Sequence, residues 1–274
     1  LIEQARQHPG LLVELYIWRP PSLFEADQHI TRSFKRDAAR LKNVSFRHIP
    51  AGSAFAARHE KLVIIDDVLA ALGGIDLTSG RWDTVAHLSQ EPRRRDPSGE
   101  SYMPYQDLQA LFSGPLVEKI WRLLAEELPG SAPWSPAEEL FWPDDLSPLI
   151  GAVEGEVLRT SSSPVPEEEG LHEISDSYRE LIASAARSIY IENQYFSSDK
   201  ITEQLASRLE EQDGPEVVIV MSRELPDAMG RLTMGLSASM HIAKLKAADQ
   251  WGRLGFYNLF SSDDDEVAVK VHTK

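Results

Sequence analysis

The chain has 274 residues with 28 Lys+Arg against 43 Asp+Glu and no cysteine, which excludes disulfides, thiolate catalysis and cysteine-ligated zinc. That length suffices for one large domain or two of ordinary size, and its apolar runs are far shorter than a membrane span requires. The acidic excess lies in the second half, with 12 Lys+Arg against 26 Asp+Glu over residues 129–274 and 16 against 17 over residues 1–128; the only local basic stretch is Arg93-Arg94-Arg95, so tight nonspecific nucleic-acid binding is disfavoured.

The opening LIEQARQHPG reads as a helix followed by a turn. LLVELYIW (11–18) has the apolar density of a buried strand, ITRSFKRDAARLK (30–42) has helical spacing, KLVIID (61–66) is strand-like, and ALGGIDL (71–77) is a further strand candidate after the Asp66-Asp67 turn. SGPLVEKIWRLLAEEL (113–128) predicts a helix with Ser113 and Pro115 near its start and an end at Pro129-Gly130. Proline then recurs every few residues to about position 150, which reads as a connection, and SSSPVPEEEG (161–170) is a second loop. The α/β rhythm resumes with a helix at 172–187, a strand SIYIENQYF (188–196), a helix at 201–212, a buried strand EVVIVMS (216–222) and a helix at 235–252. The last nine residues, EVAVKVHTK, alternate like a strand. The expected organisation is a first lobe over 1–130, a connection over 131–150 and a second lobe over 151–274.

His-x-Lys occurs twice, at His59 and Lys61 and again at His272 and Lys274. On a strand the two members of each pair share a face, because side chains alternate with a period of two. Imidazole titrates near neutral pH and either attacks phosphorus or protonates a leaving oxygen, while an ammonium neutralises the phosphoryl oxygens. One such pair is a weak signal, since both residue types are common on exposed strands. Two pairs, each closing a similar α/β unit, are what a pseudo-symmetric phosphate site requires. Asp66 falls at an odd offset from Lys61, which aims it away and suits it to pinning the turn. Gly73-Gly74 allows close backbone approach, and their N–H groups are candidates for holding an anion.

HEKLVIIDD, GGIDL and GRWD together resemble the first His-x-Lys-x4-Asp motif of the phospholipase D superfamily with the extension found in its eukaryotic-like branch. YMPYQDLQALFSGPLV is similar to that family's strand and Gly-Pro helix start after the motif. VLRTSSS resembles its first strand of the second lobe, IYIENQYF its Glu-Asn-Gln-aromatic motif, and VAVKVHTK the start of its second catalytic motif. The resemblance runs from about residue 11 to the end. It implies an α/β fold of two pseudo-symmetric lobes, each a mixed or mostly parallel sheet flanked by helices, with the active site at the lobe interface.

Carried over residue by residue, the resemblance implies that His59 attacks the phosphodiester to form a phosphohistidine and that His272 protonates the leaving alcohol and then activates water or an alcohol. Lys61 and Lys274 would hold the phosphate, and Asp66 completes the first motif. Asp107 would pair with His272. Asp76, Gly73, Gly74, Asn193 and Gln194 are implied as substrate contacts. Arg58 stands in front of His59, where many relatives carry the first His of His-His-x-Lys. The second motif is cut at Lys274, so the native chain is expected to continue beyond it.

The implied activity is hydrolysis of phosphatidyl headgroup esters to phosphatidic acid, or transfer of the phosphatidyl group to an alcohol. Its partners would be a phospholipid at a membrane surface and a water or alcohol acceptor, with no nucleic acid and no cofactor. No catalytic metal is expected, because Lys61 and Lys274 supply the positive charge a metal would bring. The alternatives are a nuclease or other phosphodiesterase on the same scaffold and a non-catalytic lipid-binding relative. Headgroup, acceptor and compartment are left open.

Overall fold

Runs rich in Val, Ile and Leu form short strands, most of them paired in parallel, and the amphipathic stretches form helices packed against them. The computed structural model describes residues 1–18, 34–49, 58–128, 130–139, 142–146, 150–163, 169–223, 228–264 and 266–273, with side chains omitted over 228–234. Among these the helices are α1 (Ile2–Gln7), α2 (Pro115–Glu127), α3 (Glu173–Ser184), α4 (Asp199–Glu210) and α5 (Ala228–Ala248). The strands are β1 (Val13–Trp18), β2 (Val44–Ile49), β3 (Leu62–Ile65), β4 (Leu69–Gly73), β5 (Tyr105–Gln106), β6 (Gln109–Ser113), β7 (Thr160–Ser161), β8 (Leu171–His172), β9 (Ser188–Asn193), β10 (Glu216–Met221), β11 (Leu254–Tyr257) and β12 (Lys270–Val271). No helix among the described residues is long and apolar enough to cross a membrane.

The chain divides into two units, and the division is discontinuous in sequence where consecutive lobes were expected. The first comprises Leu1–Glu60, Ile64–Ala70 and Phe112–His172; the second comprises Lys61–Val63, Ala71–Leu111 and Glu173–Lys274. A three-stranded sheet has the order β3-β4-β6.

In the first unit β1 pairs in parallel with β2, from Val13 beside Val44 to Trp18 beside Ile49. Behind this pair cluster Ala5, Ala38 and Val44 with Val13, Leu15, Phe34 and Leu41 around them, and Leu69, Ala70, Val117, Ile120 and Leu128 are buried elsewhere in the unit. Asn43 Nδ2 donates to the carbonyls of Ala5, His8 and Leu11, which ties α1 to the start of β1. VSFRHI (β2) escaped the sequence reading because its apolar residues are broken by Ser45, Arg47 and His48. At α2 the turn into the helix is made by Gly114 at φ +100°, and Pro115 takes the first helical position, where its missing N–H costs nothing.

In the second unit β9, β10 and β11 form a parallel sheet, ordered β11-β10-β9. Leu205, Leu209, Val217, Ile219 and Leu245 are fully buried between this sheet and the helices. Ser198 caps α4 by accepting from Ile201 N. Helix α5 begins before the expected residue 235 and stops at Ala248, where Asp249 accepts from Arg253 N and Leu254 N and turns the chain into β11.

Two expected strands are shorter than the sequence pattern implies. The last nine residues contribute only Lys270–Val271 to a strand, because its partner β5 is itself two residues long. Pro104 precedes β5 and has no N–H to offer, and the Leu108 N–H just after it is taken by the Asp107 side chain. His272 therefore lies past the end of β12. Likewise β3 begins at Leu62, so His59 and Lys61 precede the strand and the shared-face argument does not govern them.

Candidate active site

The site is assembled in the second unit by the pairing of β12 with β5. Lys270 lies beside Tyr105 and Val271 beside Gln106, with Lys270 N donating to Pro104 O and His272 N to Gln106 O, each at 2.8 Å. Ser222 locks β12 from the other side. Its Oγ accepts from Val271 N at 2.8 Å and donates to Val271 O at 2.9 Å. In this register the His272 ring meets Asp107, Nδ1 to Oδ2 at 2.8 Å, with both side chains 5% exposed. An ionised carboxylate only accepts, so the imidazole donates through Nδ1.

Gly74 makes this pair possible. A Cβ on Gly74 would lie 2.0 Å from Asp107 Oδ1 and 2.9 Å from His272 O, and one on Gly73 would lie 2.3 Å from Leu108 O. The expectation that the two glycine N–H groups hold an anion is corrected. Gly73 N donates to Lys61 O at 3.3 Å and Gly74 N to Leu108 O at 2.9 Å, so both are engaged in backbone bonds. Their contribution is space for the neighbouring carboxylate.

Asp76 draws the cations together. Its Oδ1 lies 3.1 Å from Lys61 Nζ, and its Oδ2 lies 3.4 Å from Arg81 Nε and 4.0 Å from His272 Nε2. Burial raises the Asp76 carboxyl, but the hydrogen bond and charge of Lys61, with the charges of Arg81 and His272, outweigh it and hold the group below the ordinary carboxylate range. Tyr105 forms the wall, its ring centroid 5.3 Å from that of His272. The Arg81 guanidinium and the Lys270 ammonium sit over that ring at 5.1 and 5.3 Å. Burial pushes the Tyr105 hydroxyl up, and the oxygen has no hydrogen-bond partner among the described residues.

Behind this wall stands a network that sequence reasoning missed. Asp83, the last residue of Gly-Arg-Trp-Asp, accepts from Tyr105 N at 2.7 Å, pairs with His87 Nδ1 at 2.9 Å and bridges Arg94 Nη1 at 3.0 Å. His87 Nε2 reaches Gln106 Oε1 at 2.9 Å. Arg94 is 1% exposed and donates to the carbonyls of Tyr102, Leu88 and Ser89. The three consecutive arginines are thus no basic patch. Arg93 pairs with Glu91 and lies over Trp82, and Arg95 donates to Gly99 O. The quartet GRWD was legible as a motif, but nothing in a single sequence says that its acid supports the backbone of Tyr105.

The remaining sequence-predicted residues fall as follows. His59 belongs to the first unit and is exposed in an irregular segment, and Arg58 beside it pairs with Glu127 and Glu60. Asp66 is exposed on the turn between β3 and β4 at φ +51°, with its carbonyl accepting from Ala137 N at 3.0 Å. Asn193 ends β9 and its Oδ1 accepts from Tyr195 N at 3.0 Å. Gln194 is 5% exposed, and its Oε1 has no hydrogen-bond partner among the described residues. Lys274 lies outside the described residues. The structure therefore brings together Lys61, Asp76, Asp107 and His272, and adds Arg81 and Tyr105.

No family model matches the chain. Phospholipase D1 of Schizosaccharomyces pombe is 34% identical over 93 residues, which are 32% of this chain and 7% of that protein. Phospholipase D1 of Saccharomyces cerevisiae is 26% identical over 195 residues, 54% of this chain and 12% of that protein. Phospholipase D1 of Rattus norvegicus is 52% identical over 88 residues, 32% of this chain and 8% of that protein. The matched stretches thus span between 7% and 12% of the length of these relatives. Among solved structures, a polyphosphate kinase from Porphyromonas gingivalis superposes with a TM-score of 0.42 at 14% identity, covering 82% of this chain and 32% of that one.

Proposed function

We propose that this chain carries the acid/base part of a phospholipase D-type phosphodiesterase, which cleaves a phosphatidyl headgroup ester and passes the phosphatidyl group to water or an alcohol. The observation that carries this reading is the 2.8 Å bond from His272 Nδ1 to Asp107, with Lys61 and Arg81 gathered on the Nε2 side. Asp107 fixes the tautomer and stabilises the imidazolium that forms when Nε2 takes a proton. Lys61 and Arg81 offset charge on the phosphoryl oxygens as the P–O bond breaks. The similar stretches in relatives named phospholipase D support a phospholipid as the substrate class.

The attacking group is assigned to His59 from the family resemblance. An imidazole nitrogen of His59 bonds to phosphorus, the P–O bond to the headgroup breaks, and the leaving oxygen takes the proton from His272 Nε2. Water or an alcohol then attacks phosphorus and gives its proton to His272, releasing His59 with phosphatidic acid or the phosphatidyl alcohol. A nuclease reading is disfavoured because the Arg93-Arg94-Arg95 run is consumed internally, with Arg94 buried and Arg93 paired, and the chain as a whole is acidic.

A phosphatidylcholine substrate with added primary alcohol should yield both phosphatidic acid and the phosphatidyl alcohol, in proportions that follow alcohol concentration. His59→Ala should abolish both products together. His272→Ala should lose roughly 10²–10⁴-fold in rate, yet with a leaving group that needs no protonation it should still label His59 with phosphate. Hydrolysis with no alcohol product and no phosphohistidine would replace the two-step account with direct attack by water. Binding of phosphatidylcholine vesicles without turnover would favour the lipid-binding relative.

A further inference from the structure

Resting on that reading, we propose that Asp76 is a charge filter, a fixed anion at the phosphate position that admits singly charged phosphodiesters and turns away doubly charged phosphomonoesters. An anionic ligand is attracted to the point where Lys61, Arg81 and His272 Nε2 converge, and the Asp76 carboxylate already stands there, 3.1, 3.4 and 4.0 Å from them. Any phosphoryl oxygen that reaches Lys61 or Arg81 therefore comes within a few ångströms of a negative charge. The Lys61 side chain is 10% exposed and that of Asp76 29%, so water screens this repulsion only in part.

Repulsion from a fixed charge scales with the charge of the ligand. A phosphodiester carries one negative charge at neutral pH, and a phosphomonoester carries close to two because its second pKa is about 6. The Asp107 carboxylate is committed to His272, and Lys270 lies over the Tyr105 ring, so neither distinguishes the two ligands as directly as Asp76. The depressed Asp76 carboxyl keeps the filter charged throughout the neutral range.

The consequence concerns turnover. Hydrolysis of a diester creates a monoester in the place where the substrate was held. With Asp76 ionised, that product gains a second charge against a like charge and is expelled. The same repulsion denies the site to the phosphomonoesters that any cell contains in excess. A neutral residue of the same shape would keep the contact with Lys61 and remove the discrimination.

The test uses the smallest matched pair of probes, methyl phosphate and dimethyl phosphate, titrated at pH 8 into the protein while the His272 ring resonances are followed by NMR. In the unmodified protein dimethyl phosphate should bind at least as tightly as methyl phosphate. In Asp76→Asn, checked for an unchanged far-UV spectrum, methyl phosphate should tighten about tenfold more than dimethyl phosphate does. Arg81→Gln gives the opposite sign without altering Asp76, and should raise the preference for dimethyl phosphate severalfold. Equal changes for both probes in Asp76→Asn, or none, overturn the filter and leave the phosphodiesterase reading standing. If neither probe perturbs His272 in any of the three proteins, the phosphate site itself is misplaced and both readings fall.

Discussion

A methyl group on Gly74 would meet Asp107 Oδ1 at 2.0 Å, and the only neighbour able to yield is the carboxylate that orients His272. Gly74→Ala should therefore act on chemistry by turning Asp107 away from the ring. We expect its kcat/KM to fall by roughly 10²–10⁴, comparable to Asp107→Asn, since both leave His272 without an anionic acceptor at Nδ1. The pH–rate profile checks the cause. In each variant the limb belonging to the general acid should move to lower pH, because the imidazolium has lost the charge that stabilised it. A Gly74→Ala enzyme with full activity would show that Asp107 has another route to His272. The sequence carried Gly74, Asp107 and His272 as separate motif positions; that one glycine is the space for the other two is a property of the packing.

The pairing of β5 with β12 involves two residues on each strand, far too little to hold itself together in water. It persists because Tyr105 N is anchored on Asp83, which is in turn fixed by Arg94 and His87. Burial raises the Asp83 carboxyl, but its bonds from His87, Tyr105 N, Thr84 N and Arg94 prevail and hold it below the ordinary range. A carboxyl whose folded-state pKa is lowered contributes stability that is fully present above the unfolded value near 3.9. That contribution is lost as pH falls through the folded value. Asp83→Asn leaves the Arg94 guanidinium, 1% exposed, without its counter-ion, so we expect a loss of about 3–5 kcal/mol at pH 7. Urea unfolding at pH 7 and at pH 3 reads this directly, with the gap between wild type and variant narrower at the lower pH. A gap of constant size at both would mean that Asp83 acts by shape and not by charge.

The two units differ in what they bury. Among the described residues the β1-β2 sheet of the first is backed by Ala5, Ala38 and Val44, with Leu69, Ala70, Val117, Ile120 and Leu128 buried elsewhere in that unit, whereas the second packs Leu205, Leu209, Val217, Ile219 and Leu245 at essentially zero exposure in one cluster. Burial of apolar area sets local stability at roughly 25 cal/mol per Å², so the units should open separately. Amide hydrogen exchange under native conditions should find β9, β10 and α4 protected at least about tenfold more strongly than β1 and β2. Equal protection in both would mean that the chain opens as one cooperative body. The formal net charge of −15 belongs to this level too: it favours solubility and weakens attraction to polyanions without specifying a fold.

By itself the sequence determined the α/β rhythm, the buried strand EVVIVMS, the strand within LLVELYIW, whose residues turn out half-buried or exposed, and the helix opened by Gly114-Pro115. Each of these rests on local periodicity or on a backbone preference that neighbouring residues alone impose. It also singled out His272, Lys61, Asp107 and Asp76, because motif spacing is written along the chain. Tertiary structure alone decided the rest. That the Gly73 and Gly74 amides are occupied, that Arg94 of an arginine triplet is buried, that Asp83 carries the wall of the site, and that Asp76 stands among the cations all depend on pairings between residues far apart in sequence. Hydrogen-bond satisfaction and charge pairing are settled by distance in space, and a one-dimensional pattern holds no record of which donor will reach which acceptor.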